Sequence, residues 1–309
     1  MPADRLMLLD SASLYFRAFF GVPDQRATPD APPTNALRGF LDMIATLVTT
    51  HRPTHLVACW DDDWRPQFRV DLIPTYKTHR LTEGSDVVEE SPDDLTPQVP
   101  VIREALRAIG ITRLGAPGFE ADDVIGTLAE RHRGVMPVDI VTGDRDLLQL
   151  VDDAHGIRVL YTGKGGVRDP DIATQAYLHE RYAVPTGDAY ADMSILRGDT
   201  SDGLPGVKGI GEKTAAQLIA AYGSLDALRE AVAAGDPALR GARRLNLEAA
   251  SAYLDVAPTV VRVARDAPVA DADLALPRAV ADPVGLDELA TTHAVVNPVN
   301  RVLTALGIV

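Results

Sequence analysis

The sequence predicts an α/β domain with a mainly parallel central sheet flanked by helices, followed by a helical C-terminal region. Three observations lead there. Short apolar runs alternate with helix-period patterns from residue 5 to about residue 169. Three of those runs end at or just before an aspartate, at Asp10, Asp61 and Asp144. From about residue 170 the strand signals give way to helical ones. The expected division is therefore 1–169 and 170–309.

Arg5-Leu6-Met7-Leu8-Leu9 reads as a short buried strand ending at Asp10. Ser11-Ala12-Ser13 follows as a turn, and a helix begins at Leu14. Residues 21–33, rich in Pro and polar residues, read as a loop. Thr34 is placed to cap a helix over about 35–50, where Leu37, Phe40, Leu41, Ile44, Leu47 and Val48 recur at helical spacing. Residues 55–60 form the second strand, ending at Asp61-Asp62-Asp63. Residues 64–98 lack a core pattern, and so long a connection inside a compact domain is functional or disordered. Its first half is basic and aromatic, which suits phosphates and stacked bases. Its second half, Glu83 to Asp94, is acidic and expected to be solvated.

A helix over about 96–109 and a strand near 111–114 come next. Glu120-Ala121-Asp122-Asp123 then opens a helix that runs to about 132. Residues 137–142 are a strand ending at Gly143-Asp144-Arg145-Asp146. A short helix at 147–150 leads to a hairpin with strands at 157–162 and 167–168. Beyond 170, the run from Gly198 to Ala215 is punctuated by glycines and enters an Ala-rich helix ending near Tyr222. Weaker helices are expected near 224–234, 244–255 and 284–292, with a strand near 259–265.

The chain has 309 residues, 46% of them hydrophobic, which is ample for a large core. No apolar run is long enough to span a bilayer, and Met1-Pro2-Ala3-Asp4-Arg5 lacks the form of a signal peptide. The single cysteine, Cys59, rules out an internal disulfide and sits in an apolar run, as a buried thiol does. A soluble cytoplasmic protein is expected. The net charge of −14, taken alone, argues against a nucleic-acid partner.

The acids suggest a different reading of that charge. Ligands of open α/β sheets bind beyond the carboxyl ends of the strands, where Asp10, Asp61 and Asp144 fall. Asp144 and Asp146 are two apart, which aims both the same way in an extended segment. Glu120 and Asp123 are three apart, as are Asp199 and Asp202, so each pair shares a face of a helical turn. So many carboxylates in one place repel, and hard divalent cations relieve the repulsion. All-oxygen donors without a Cys or His signature point to Mg²⁺ or Mn²⁺. Two such ions suit phosphodiester cleavage. Each acid also has a plain structural role open to it. Asp10 can cap the turn after a strand, 61–63 can be a solvated loop, and the acids at 120–123 and 144–146 can serve helix N-termini. Their common rim favours the metal reading. The tight glycine-rich turn between two helices exposes N–H groups that can hold phosphate oxygens, with Lys208 and Lys213 adding charge; a plain helix–turn–helix connection is the alternative.

These residues resemble the 5′-nuclease domain of bacterial DNA polymerase I and the related flap endonucleases. The blocks that carry the resemblance are Leu9-Asp10, Phe16-Arg17-Ala18, Tyr76-Lys77-Thr78-His79-Arg80, Glu120-Ala121-Asp122-Asp123, Thr142-Gly143-Asp144-Arg145-Asp146, Gly198-Asp199-Thr200-Ser201-Asp202, and the run from Pro205 to Ala215. The resemblance implies a PIN-like fold with a helical arch at 64–98 and a helix–hairpin–helix module at 198–222. It implies a two-metal, structure-specific 5′ nuclease of replication and repair, acting near the nucleoid. Asp10, Asp61, Glu120 and Asp122 match its first metal cluster, and Asp144, Asp146, Asp199 and Asp202 the second, with Asp123 beside them. Lys77 and Arg17 match basic residues near the scissile phosphate. Tyr76 and Arg80, with Gly206, Lys208, Gly209, Gly211, Lys213 and Thr214, match DNA-binding positions. K⁺ is a further candidate ligand at the hairpin, and RNA–DNA hybrids a further substrate. A monomer is expected.

Two departures stand out. Ser11 replaces the usual Gly after the first Asp, and Gly203 the usual Asn after Ser201-Asp202. Strand register selects Asp61 as the second acid, whereas counting back from Phe68-Arg69 selects Asp62. The chain ends at Val309 without a polymerase region, so a stand-alone version is expected. The competing reading is an inactive DNA-structure-binding protein.

Overall fold

The structure, a computed structural model, describes residues 4–26, 28, 31–86 and 88–309. The first three residues, parts of the predicted 21–33 loop and residue 87 of the 64–98 connection lie outside the described residues. A six-stranded sheet forms the centre: β1 (Leu6–Asp10), β2 (His55–Cys59), β3 (Thr112–Leu114), β4 (Val138–Thr142), β5 (Ile157–Gly165) and β6 (Asp169–Ala173). Its spatial order is β3-β2-β1-β4-β5-β6. β1 to β5 are parallel and β6 runs antiparallel to β5. The first five strands match the predicted ones within a residue or two at their starts.

Thirteen α-helices are assigned among the described residues: α1 (Ser11–Gly21), α2 (Asn35–His51), α3 (Gln67–Leu72), α4 (Gln98–Ile109), α5 (Ala121–Arg131), α6 (Gln175–Tyr182), α7 (Gly187–Arg197), α8 (Glu212–Tyr222), α9 (Leu225–Ala234), α10 (Gly241–Ala249), α11 (Ser251–Val261), α12 (Pro283–Thr292) and α13 (Val296–Ala305). They cover both faces of the sheet, which is why β1 is apolar throughout rather than alternating. Leu6 and Leu8 enter one core with Val124, Ile125 and Leu128 of α5. That core continues into Met193 of α7 and Leu218 of α8. Met7 and Leu9 enter the other core with Phe40, Leu41 and Ile44 of α2, Ile102 of α4, and Val299, Val302 and Leu303 of α13. Among the described residues no helix is long and apolar enough to cross a membrane.

Several predicted elements are corrected. The expected turn at 11–13 is the first turn of α1, because Asp10 caps it directly. The second hairpin strand lies at Asp169–Ala173, not 167–168, which form part of a 3₁₀ turn. The strand expected near 259–265 is absent: Val260 and Val261 end α11 instead. The single helix expected at 244–255 is two helices meeting at Ala250. Among its described residues, the expected helical arch at 64–98 is helical at α3, in a 3₁₀ turn, Thr78–Arg80, and at Gln98, where α4 begins. Its other described residues form turns and irregular backbone with one bridge, Leu81 to Glu89. Pro66, Pro74, Pro92 and Pro97 interrupt helix formation across that stretch.

Candidate metal centre

The strand order reverses between β1 and β4: successive strands step outward from β1 to β3, then return to its other side. Such a reversal opens a crevice at the carboxyl ends of the strands. Asp10 ends β1, and Asp61 and Asp144 follow closely on β2 and β4. A cavity of about 820 Å³ lies at this rim. Eleven acids line it: Asp10, Asp61, Asp62, Asp63, Glu89, Glu120, Asp122, Asp144, Asp146, Asp199 and Asp202, against the cations Lys77, Arg80 and Arg145.

Local hydrogen bonds explain how the acids are held. The Ser13 N–H donates to Asp10 Oδ1 at 3.1 Å, and the Thr142 hydroxyl to Asp10 Oδ2 at 2.6 Å. The same Thr142 oxygen accepts from the Asp144 N–H at 2.8 Å, so one side chain ties the first acid to the third. The capping role open to Asp10 and the site role therefore coexist. Asp61 Oδ1 accepts from the Ala121 N–H at 2.8 Å, bringing β2 to the start of α5. Asp62 is exposed and lies 3.5 Å from Arg113, away from that junction. Asp61, not Asp62, thus meets the residues around Asp122. Asp144 Oδ1 accepts from the Asp146 N–H at 2.9 Å, and Asp199 Oδ1 from the Ser201 N–H at 2.8 Å.

The electrostatics divide the acids into two groups. Burial, with Asp61 and Asp144 nearby, pushes Asp10 up to about 7, against the pull of Thr142 and Ser13. Burial also raises Asp61. Asp122 is raised well above the usual range by burial, then by Asp10, Asp144 and Glu120. Asp146 is raised likewise by burial, then by Asp144, Asp202 and Asp199. Asp144 acts on both groups, and Glu120 also reaches across to raise Asp202. Carboxyls raised in this way mark negative charge that the chain leaves uncompensated, and an all-oxygen donor set suits hard divalent cations. Among the described residues no three His, Cys, Asp or Glu lie close enough together to form a ready-made cage.

Some predicted site residues sit elsewhere. Asp123 is fully buried and points away from the cavity. Its oxygens accept from Arg69 at 2.7 and 2.8 Å and from the N–H groups of Glu120 and Ala264, which leaves nothing for an ion. Tyr76 is buried, not presented for stacking, and its hydroxyl donates to Glu120 at 2.9 Å. Arg17 does not line the cavity; its guanidinium lies beside Gly166 in the β5–β6 turn. Lys77 and Arg80 do line it. Lys77 Nζ donates to Glu120 at 2.6 Å, and Arg80 Nη2 to Asp202 at 2.8 Å. Glu89, expected to be solvated, joins the cavity wall. Arg69 went unmarked in the sequence, although its place beside Phe68 in a basic, aromatic stretch was the available signal.

The glycine-rich run joins α7 to α8, which pack together. At Gly206, φ is +61° and a Cβ would lie 2.5 Å from the Arg197 carbonyl oxygen, so only glycine fits. Lys208, Gly209, Gly211 and Lys213 are exposed at its tip, and Thr214 is half-buried.

Comparison with known proteins agrees with this architecture. Residues 5–183 match the family model of the 5′-3′ exonuclease N-terminal resolvase-like domain, and residues 185–281 that of the 5′-3′ exonuclease C-terminal SAM fold. A Streptomyces coelicolor protein named 5′-3′ exonuclease is 55% identical over 304 residues, covering 97% of this chain and 99% of its own. A Mycobacterium bovis DNA polymerase I is 43% identical over 244 residues, which are 78% of this chain and 26% of that protein. A crystal structure of the bacteriophage T5 D15 flap endonuclease superposes with a TM-score of 0.65 at 16% identity, covering 98% of this chain and 99% of that one. The chain belongs to the 5′-3′ exonuclease family and is a 5′ nuclease of that family.

Proposed function

We propose that the chain hydrolyses phosphodiester bonds at 5′ ends, nicks and flaps of duplex DNA with two divalent cations, Mg²⁺ or Mn²⁺. The observation that carries this reading is the acid-lined cavity at the strand-order reversal, with its two groups sharing Asp144. Asp10, Asp61 and Asp122 would hold one ion, joined by Glu120 where its oxygen now bound by Lys77 is released, and Asp144, Asp146, Asp199 and Asp202 would hold the other. Bound there, such ions make a water nucleophilic at neutral pH and neutralise the leaving oxygen. Lys77 and Arg80, held at the rim by Glu120 and Asp202, would receive the scissile phosphate. The exposed backbone and lysines at 208–213 would grip duplex phosphates without reading sequence. The related T5 structure is a complex with DNA and metal ions, which supports the same use of the fold. The substrate range extends, on this reading, to RNA strands of primer hybrids, the acting form is a monomer, and the work is done on nucleoid DNA.

The test is cleavage of a 5′-labelled flap duplex. Asp122→Ala and Asp144→Ala are expected to abolish Mg²⁺-dependent cleavage while duplex binding in Ca²⁺ stays measurable. Wild-type cleavage rates in both variants would overturn the site. A wild-type protein that binds forks yet cuts nothing in Mg²⁺ or Mn²⁺ would instead be a DNA-structure-binding protein.

A further inference from the structure

We propose that Arg69, which lies outside the cavity, is a positioning residue: it fixes the rotation of the acidic turn at 120–123 and so the aim of Asp122 and Glu120 into the metal centre. The inference rests on the metal-dependent nuclease reading.

Arg69 projects from α3 and is 2% exposed. Its two terminal nitrogens donate to both oxygens of Asp123, at 2.8 and 2.7 Å. One of them also donates to Glu120 Oε2 at 3.0 Å, and Nε donates to the Val260 carbonyl at 3.0 Å. The Phe68 ring lies 5.0 Å from the guanidinium and the Tyr76 ring 5.9 Å. Burial works against the Arg69 charge, but Glu120 and Asp123 outweigh it.

Glu120 and Asp123 are three residues apart, so they share a face of the first turn of α5. A planar fork that grips both sets how that turn is rotated about the helix axis. Asp122 sits between them and faces the cavity, and among the described residues no hydrogen bond holds its carboxylate. Its direction is therefore inherited from the turn. The same guanidinium holds the end of α11, and Tyr76 and Lys77 reach Glu120 from farther along the 64–98 segment. Arg69 thus joins the acidic turn, the base of the connection and the C-terminal region at one point.

A merely stabilising ion pair predicts something different, and two variants separate the cases. Arg69→Lys keeps a cation but loses the fork. The double variant Arg69→Met/Asp123→Leu removes both charges together, so no lone charge is left buried, but it strands the Glu120 and Ala264 N–H groups and the Val260 carbonyl and is expected to melt below the wild type. Thermal melting, Mn²⁺ titration calorimetry, and kcat and KM on a 5′-flap duplex are measured for each. Assayed well below its own melting temperature, where it is folded, the double variant is expected to bind Mn²⁺ about 10–100-fold more weakly and lose kcat to a similar degree. Arg69→Lys is expected to shift the same way with KM little changed. Wild-type Mn²⁺ affinity and kcat in either variant would overturn the proposal, as would a defect confined to KM. A wild-type protein that neither binds Mn²⁺ nor cuts the flap would instead remove the nuclease reading itself.

Discussion

At the residue scale, the crevice gathers eleven acids against three cations, and distant segments decide which of those acids stay unpaired. A carboxylate two residues past a buried strand shows in the sequence. Which cation meets it depends on segments far away in the chain. Asp123 looked equivalent to Asp122 until Arg69, more than fifty residues earlier, claimed both its oxygens. Tyr76 looked available for a base until its hydroxyl met Glu120. The raised acids lead to a pH prediction. The Asp10 carboxyl ionises at about 7 in the fold, against an ordinary value of 3.8. Its stabilising contribution is therefore full below 3.8 and lost as pH rises through about 7. Asp61, Asp122, Asp146 and Asp202 shift in the same direction. Without divalent cations, the melting temperature is expected to fall between about pH 4 and pH 7. Excess Mg²⁺ should close that gap, with affinity rising up to about pH 7 because binding expels protons. A flat melting profile without cations would contradict this. At the rim, Lys77→Met is expected to lower kcat by about 10²–10³-fold, as loss of a cation beside developing charge does. Single-turnover flap cleavage measures it.

At the element scale, buried strands and long amphipathic helices could be read because their patterns are local. Leu6 to Leu9 has no polar residue to misplace, and α2 repeats its apolar positions over four turns. The misread elements depend on tertiary contacts. Val260 and Val261 favour a strand on their own, but α11 holds them helical, with Arg69 bound to the Val260 carbonyl. The outer hairpin strand was displaced because an edge strand has weak register, and the 3₁₀ turn at Gly166–Arg168 takes up residues that alternate like a strand. The glycine hairpin carries two predictions. Gly206→Ala forces a left-handed residue against the Arg197 carbonyl and should cost about 1–3 kcal/mol by urea denaturation, weakening duplex binding as well. Lys208→Ala should weaken duplex binding uniformly across sequences and make its salt dependence shallower by about one unit of slope.

At the scale of the whole molecule, the last helices belong to a core that the N-terminal strand begins. Val299, Val302 and Leu303 of α13 pack on α2 in the core that holds Met7 and Leu9. Leu303→Ala is expected to cost about 2–5 kcal/mol in stability while leaving kcat unchanged well below melting. Chemical denaturation and flap cleavage, run in parallel, test both halves of that expectation. The reversal in strand order has a consequence in time as well as in space. Asp10 leaves the ribosome early, but Asp199 and Asp202 follow only after most of the chain has been made. At roughly 5–20 residues per second, many seconds separate the two. A chain made only as far as Asp146 holds the first set of acids and half of the second, lacks Asp199 and Asp202, and cannot assemble the full centre. The complete centre therefore forms only after residue 202 of the 309 has been added.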